Sequence, residues 1–118
     1  MSDFRFEQLD IWKESIELGN KLFDFAERAE QLRKYRFAEQ LNGASMSISN
    51  NIAEGSGSNS HKEFARYLNI SRDSLFECVN ILHIYENRQI ITMEERVTLY
   101  PDMLKLSKKI FNFRKNLL

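Results

Sequence analysis

Apolar side chains recur every three or four residues along almost the whole chain, the period of a helix that buries one face. The pattern breaks into four blocks. Only four Gly and one Pro occur in 118 residues. An all-β domain needs turn residues every ten positions or so, so this composition excludes one. Hydrophobic residues make up 42% and charged residues 29% of the chain, which suits a folded globular protein rather than a disordered one.

The first block, residues 7–29, carries Leu9, Trp12, Ile16, Gly19, Phe23 and Ala26 on one expected face, with Ile11, Leu18, Leu22 and Phe25 as a second stripe. The second block, residues 34–54, has a stripe of Phe37, Leu41, Ala44, Ile48 and Ile52. Gly55 and Gly57 follow it, and a left-handed glycine is expected to close that helix and start the turn. The third block, residues 60–87, opens with Ser60 and Glu63 as an expected capping box. Phe64, Leu68, Ser71, Leu75, Cys78, Leu82 and Tyr85 form its seam. The fourth block, residues 92–118, opens with a second capping box, Thr92 and Glu95. Its seam of Leu99, Met103, Leu106, Ile110, Phe113 and Leu117 alternates steps of four and three. Tyr100, Leu104, Phe111 and Leu118 add a neighbouring stripe. Pro101 is expected to kink or break this last helix near residues 97–101. The junction at residues 30–33 has no Gly or Pro to mark it.

Four amphipathic helices with short connections specify an all-α fold, an up-down-up-down antiparallel four-helix bundle, as a single domain over residues 1–118. On the first and fourth helices the apolar arc covers about half the circumference, wider than an ordinary surface helix shows. One reading is a core enlarged by nine Phe residues; the other, which is favoured, is that part of each arc packs against another subunit, and a homo-oligomer is expected.

Much chemistry is excluded. Neither His61 nor His83 has a Glu three residues before it, so the pairs of a di-iron bundle are missing. The single cysteine, Cys78, rules out an intramolecular disulfide and sits on the apolar seam as a small hydrophobe. Gly55 and Gly57 lack the third glycine and the preceding strand of a dinucleotide fingerprint, and no Ser stands in a nucleophile elbow. No catalytic residue, cofactor, metal or small-molecule substrate is expected. Neither a signal peptide nor a membrane span is evident, so the expected location is the cytoplasm.

Two constellations remain. Residues 40–57 are crowded with small polar side chains for a helix interior. Ser47, Asn51 and Glu54, with Ser74 and Glu77 from the third helix, form a candidate polar cluster that sets helix register or meets a ligand or partner. Gly43 suggests close approach by a neighbour. The second constellation is charge. Lys plus Arg and Asp plus Glu both number 17, which excludes coating of nucleic acid by bulk charge. The distribution is uneven, with a net −4 over residues 1–30 and a net +3 over residues 91–118. Lys105, Lys108, Lys109 and Lys115 share one face of the fourth helix. They are either a solvated face, with cations favoured near a helix C-terminus, or candidate contacts to the phosphates of RNA or DNA. An acidic first helix and a basic fourth helix would also attract each other, within or between subunits.

The string Asn51-Ile52-Ala53-Glu54-Gly55-x-Gly57 carries a family resemblance, together with Gln40-Leu41, Ala44 and Ser47-Ile48. Phe6-x-x-Leu9-x-x-Trp12, Glu63-Phe64, Tyr67-Leu68 and Ser74-x-x-Glu77 extend it over nearly the whole chain. The sequence resembles the small four-helix-bundle proteins encoded in intervening sequences of bacterial 23S ribosomal RNA genes, a group that includes the accessory variability protein of diversity-generating retroelements. The resemblance implies a homopentameric ring and a binding role without catalysis. Retroelement members resemble basic barrels that bind nucleic acid and a reverse transcriptase. Gly43 and Ser58 stand where the family usually has arginines. The expected function is therefore a self-associating scaffold for a macromolecular partner. The alternative is direct RNA or DNA binding, ribosome- or reverse-transcriptase-associated, through the fourth helix.

Overall fold

The computed structural model describes residues 3–118. A 3-10 turn at Arg5–Gln8 leads into four helices: α1 (Asp10–Gln31), α2 (Tyr35–Ser56), α3 (His61–Asn87) and α4 (Met93–Leu117). No strand occurs among the described residues. Each helix packs on the next in the chain, and α4 closes back onto α1. Pairs across the interfaces run antiparallel: Phe37 with Tyr85 and Ile48 with Ser71 between α2 and α3, Phe64 with Phe113 between α3 and α4. This order fits an up-down-up-down bundle. Its Cα extents of 43 × 24 × 22 Å give a nearly square cross-section.

The seam expected on α3 is buried at every position, from Phe64 to Tyr85. On α4 the seam is buried from Leu99 to Ile110, with Phe113 and Leu117 packed against the core. On α1 the buried face draws on both stripes: Ile11, Leu18 and Leu22 of the second and Gly19 and Ala26 of the first are buried with Ser15 and Ala29, while Ile16 is exposed. Both stripes satisfy the helical period; the neighbours α2 and α4 decide which of their residues turn inward. Ser15 is tolerated there because its hydroxyl donates to the Trp12 carbonyl at 2.7 Å. Across α2 and α3, the Ser71 hydroxyl donates to the Ile48 carbonyl at 2.7 Å, and the buried Tyr85 hydroxyl to the Phe37 carbonyl at 2.8 Å. These bonds fix register along an apolar seam.

Several helix ends differ from expectation. α1 starts at Asp10 rather than at residue 7, because Leu9 is extended and packs against the core. Phe6 sets its ring edge-on against Trp12, 5.0 Å between centroids, and secures the turn before it. No glycine adopts a positive φ. The left-handed positions belong to Arg33 (φ 62°) and Gln89 (φ 61°). Both complete Schellman motifs: Lys34 N–H bonds to the Ala29 carbonyl and Arg33 N–H to that of Glu30, while Ile90 N–H bonds to Tyr85 and Gln89 N–H to Glu86. Buried Ile90 anchors the second motif.

Gly55 lies inside α2, and Gly57 follows at φ −91°, so the left-handed glycine cap does not form. Gly55 has a different reason. A Cβ there would stand 2.6 Å from Tyr67 Cβ and 2.8 Å from Phe64 Cδ1, so glycine lets α3 approach. Thr92 and Glu95 form the full capping box. At α3 only half forms: the Ser60 side chain accepts from Glu63 N–H, but the Glu63 carboxylate turns to Arg66. α4 runs unbroken through Pro101, which is exposed.

Candidate functional site

The polar residues of α2 and α3 meet in part. The Ser47 and Ser74 hydroxyls lie 2.7 Å apart, and the Asn51 amide donates to the Ser47 hydroxyl at 2.9 Å and to its carbonyl at 2.8 Å. The Ser74 hydroxyl also donates to the Ile70 carbonyl. These groups are spent on one another and on the backbone. Glu54 and Glu77 are exposed and lie outside this hydrogen-bonded set. Glu77 stands at the edge of a shallow groove between α2 and α3 of about 340 Å³, whose lining includes Glu39, Gly43, Ser47 and Ser74. Gly43 is exposed, and a Cβ placed on it meets nothing within 4 Å. Nothing within the chain requires glycine there.

Cys78 is buried beside the Ser45 hydroxyl, and burial pushes its thiol up to about 12, far from a nucleophile's range. No group of three or more His, Cys, Asp or Glu side chains suited to a metal occurs among the described residues.

The four lysines of α4 separate. Lys109 donates to both carboxylate oxygens of Glu14 at 3.0 and 2.9 Å and is engaged by α1. Lys105 lines a pocket with Glu14, Glu17, Lys21 and Asp102. Lys108 and Lys115 are exposed. The contact between α1 and α4 carries a ladder of ion pairs: Glu14–Lys109, Lys21–Asp102 and Arg28–Glu95. Each step of seven along α1 is matched by seven backwards along α4, two helical turns per rung. Only the Glu14–Lys109 rung joins an acid of α1 to a base of α4; the other two place the cation on α1, so the ladder is set by local pairing and not by the net charge of either helix. The last rung is bidentate, 2.7 Å at both contacts, and Arg28 also donates to the Ile90 carbonyl. The Arg28 guanidinium, aided by the Thr92 N–H, holds the Glu95 carboxyl down at about 2.

An uncovered apolar surface lies between α3 and α4. A groove of about 410 Å³ is lined by residues that include Phe76, Val79, Tyr100, Met103 and Leu104. Phe76 is 54% exposed, Tyr100 46%, Leu104 41% and Phe111 46%. The outer arc expected to be uncovered on α1 is mostly half-buried, whereas that of α4 stays open. Arg72, which sequence reasoning passed over, lies over the Phe76 ring at 4.8 Å and the Phe111 ring at 5.4 Å. Its four-residue spacing from Phe76 was the available signal.

A family model described as 23S rRNA-intervening sequence protein matches residues 7–112. Among solved structures, the chain is similar to a protein of unknown function from the S23 ribosomal protein family of Bacteroides thetaiotaomicron VPI-5482. The two share 21% identity and a TM-score of 0.82 over 89% of this chain and 98% of that one, a likeness of fold. No curated protein matches. Among the described residues no helix is long and apolar enough to cross a membrane.

Proposed function

The chain belongs to the 23S rRNA-intervening sequence protein family, and from that premise we propose a non-catalytic scaffold that self-associates and binds a macromolecular partner as an assembly. The observation that carries this reading is the open apolar face of α3 and α4, where Phe76, Tyr100, Leu104 and Phe111 stay about half exposed. A contiguous uncovered apolar patch of this kind is what subunit contacts cover. The family resemblance adds the expectation of a five-membered ring. Support for a role without catalysis comes from the polar cluster, whose hydroxyls and amide satisfy one another. Light scattering across a dilution series tests the assembly. A mass that is a multiple of 14.0 kDa is expected; a monomer throughout the micromolar range overturns the reading.

A second reading is nucleic-acid binding through α4. Exposed Lys108 and Lys115 beside Arg72 favour it, and an assembly would repeat that patch. Binding to structured RNA and duplex DNA is then expected to weaken steeply with salt. Reversing Lys108 and Lys115 to Glu should abolish it; unchanged binding excludes this face.

A further inference from the structure

Two neighbouring sides of the bundle complement each other. The side formed by α3 and α4 presents the exposed ridge of Tyr100, Leu104 and Phe111, and the cations beside it are Arg72, Lys108 and Lys115. The side formed by α2 and α3 presents the shallow groove at Gly43, whose only charged lining residues are the acids Glu39 and Glu77. Gly43 has no role inside the chain, since its Cβ site is open space. Glycine is among the least favoured residues in a helix, so its presence is accounted for if something outside the chain must come close.

We infer that the α4 ridge of one copy lies in the α2–α3 groove of a second copy. Its apolar side chains pass over Gly43, and its basic rim faces Glu39 and Glu77. This rests on the self-association proposed above and specifies how it occurs. A helix ridge set into the groove between two helices is the usual packing of helical surfaces, and glycine at the groove floor shortens the approach. Opposite rim charges set the orientation.

The contact is heterologous, because the two surfaces differ, and such contacts either close into rings or run on as fibres. The nearly square cross-section places the two sides at about a right angle around α3. Repeating that turn bends the array towards a closed ring rather than a straight fibre.

The test uses one variant for each face. Leu104→Glu spoils the ridge, and Tyr100→Glu repeats this at a second exposed position. Gly43→Lys fills the groove and reverses its charge, and on the free monomer it projects into open space. Masses are measured for wild type, each variant and equimolar mixtures, with circular dichroism confirming that each variant keeps its helices. The expected result is an assembled wild type, monomeric single-face variants, and a 1:1 dimer when Leu104→Glu is mixed with Gly43→Lys. In that dimer the intact groove of one chain receives the intact ridge of the other. If Gly43→Lys assembles like wild type, or if the mixture stays monomeric, the pairing is overturned while self-association stands. A monomeric wild type overturns the proposed assembly itself.

Discussion

Two glycines of α2 separate what a residue does for its own fold from what it leaves open. Gly55 sits where a Cβ would collide with Tyr67 and Phe64, and α3 cannot retreat without opening the core. Gly55→Ala is therefore expected to destabilise the protein by about 1–3 kcal/mol, as overpacking does. Gly43→Ala meets nothing and gains helix propensity, so it should stabilise by about 0.5–1 kcal/mol. Urea denaturation of both substitutions in a Leu104→Glu background reads the monomer without the contribution of assembly. Equal losses at the two positions would refute the distinction. Sequence alone marked both glycines as unusual. It misread Gly55 as a turn residue, because the collision that requires glycine comes from a helix that follows later in the chain.

The helices show where local rules suffice and where they fail. Capping at Thr92 follows from residues three apart, and it forms as expected. Capping at Ser60 is only half complete because Arg66 competes for the Glu63 carboxylate. Glu95 does two jobs, accepting from the Thr92 N–H and from Arg28 of α1. Its carboxyl sits at about 2 rather than the usual 4.5, so folding favours its charged form. That contribution is complete above about pH 4.5 and is lost as pH falls towards 2. Glu95→Gln should cost up to about 1 kcal/mol at neutral pH for a partly exposed ion pair. The difference from wild type should shrink towards zero at about pH 2 in paired urea titrations; a gap independent of pH would assign it to something other than charge. Pro101 gives the opposite lesson. The helix continues through it, at the expense of a backbone donor in an exposed turn. Pro101→Ala is expected to raise stability by about 1–3 kcal/mol, as judged by the denaturation midpoint.

At the scale of the whole molecule, the four helices cover one another well except along α3 and α4. Burial of Leu22, Leu41, Ile48, Leu68, Leu75 and Ile110 leaves little solvent access to the centre. The ion-pair ladder ties α1 to α4 at intervals of two turns, where the chain itself provides no connecting loop. The open apolar face predicts a melting temperature that rises with protein concentration, since whatever covers the face stabilises the folded state by mass action. Leu104→Glu should remove that dependence. A wild-type melting temperature that stays constant over a hundredfold dilution would show that the face is not covered by a second copy.

Residues close in sequence were enough to determine the helical class, the number of helices, the buried seams of α3 and α4 and the cap at Thr92. Helical period and capping are local, set within one or two turns. Tertiary structure alone decided which residues of the two α1 stripes face inward, that Gly55 serves packing, that Arg33 and Gln89 take the left-handed positions, and that Lys109 is held by Glu14 while Lys108 is exposed. Each of these depends on a helix distant in the chain, because two amphipathic stripes can satisfy the same period and only the neighbour's shape and charge choose between them.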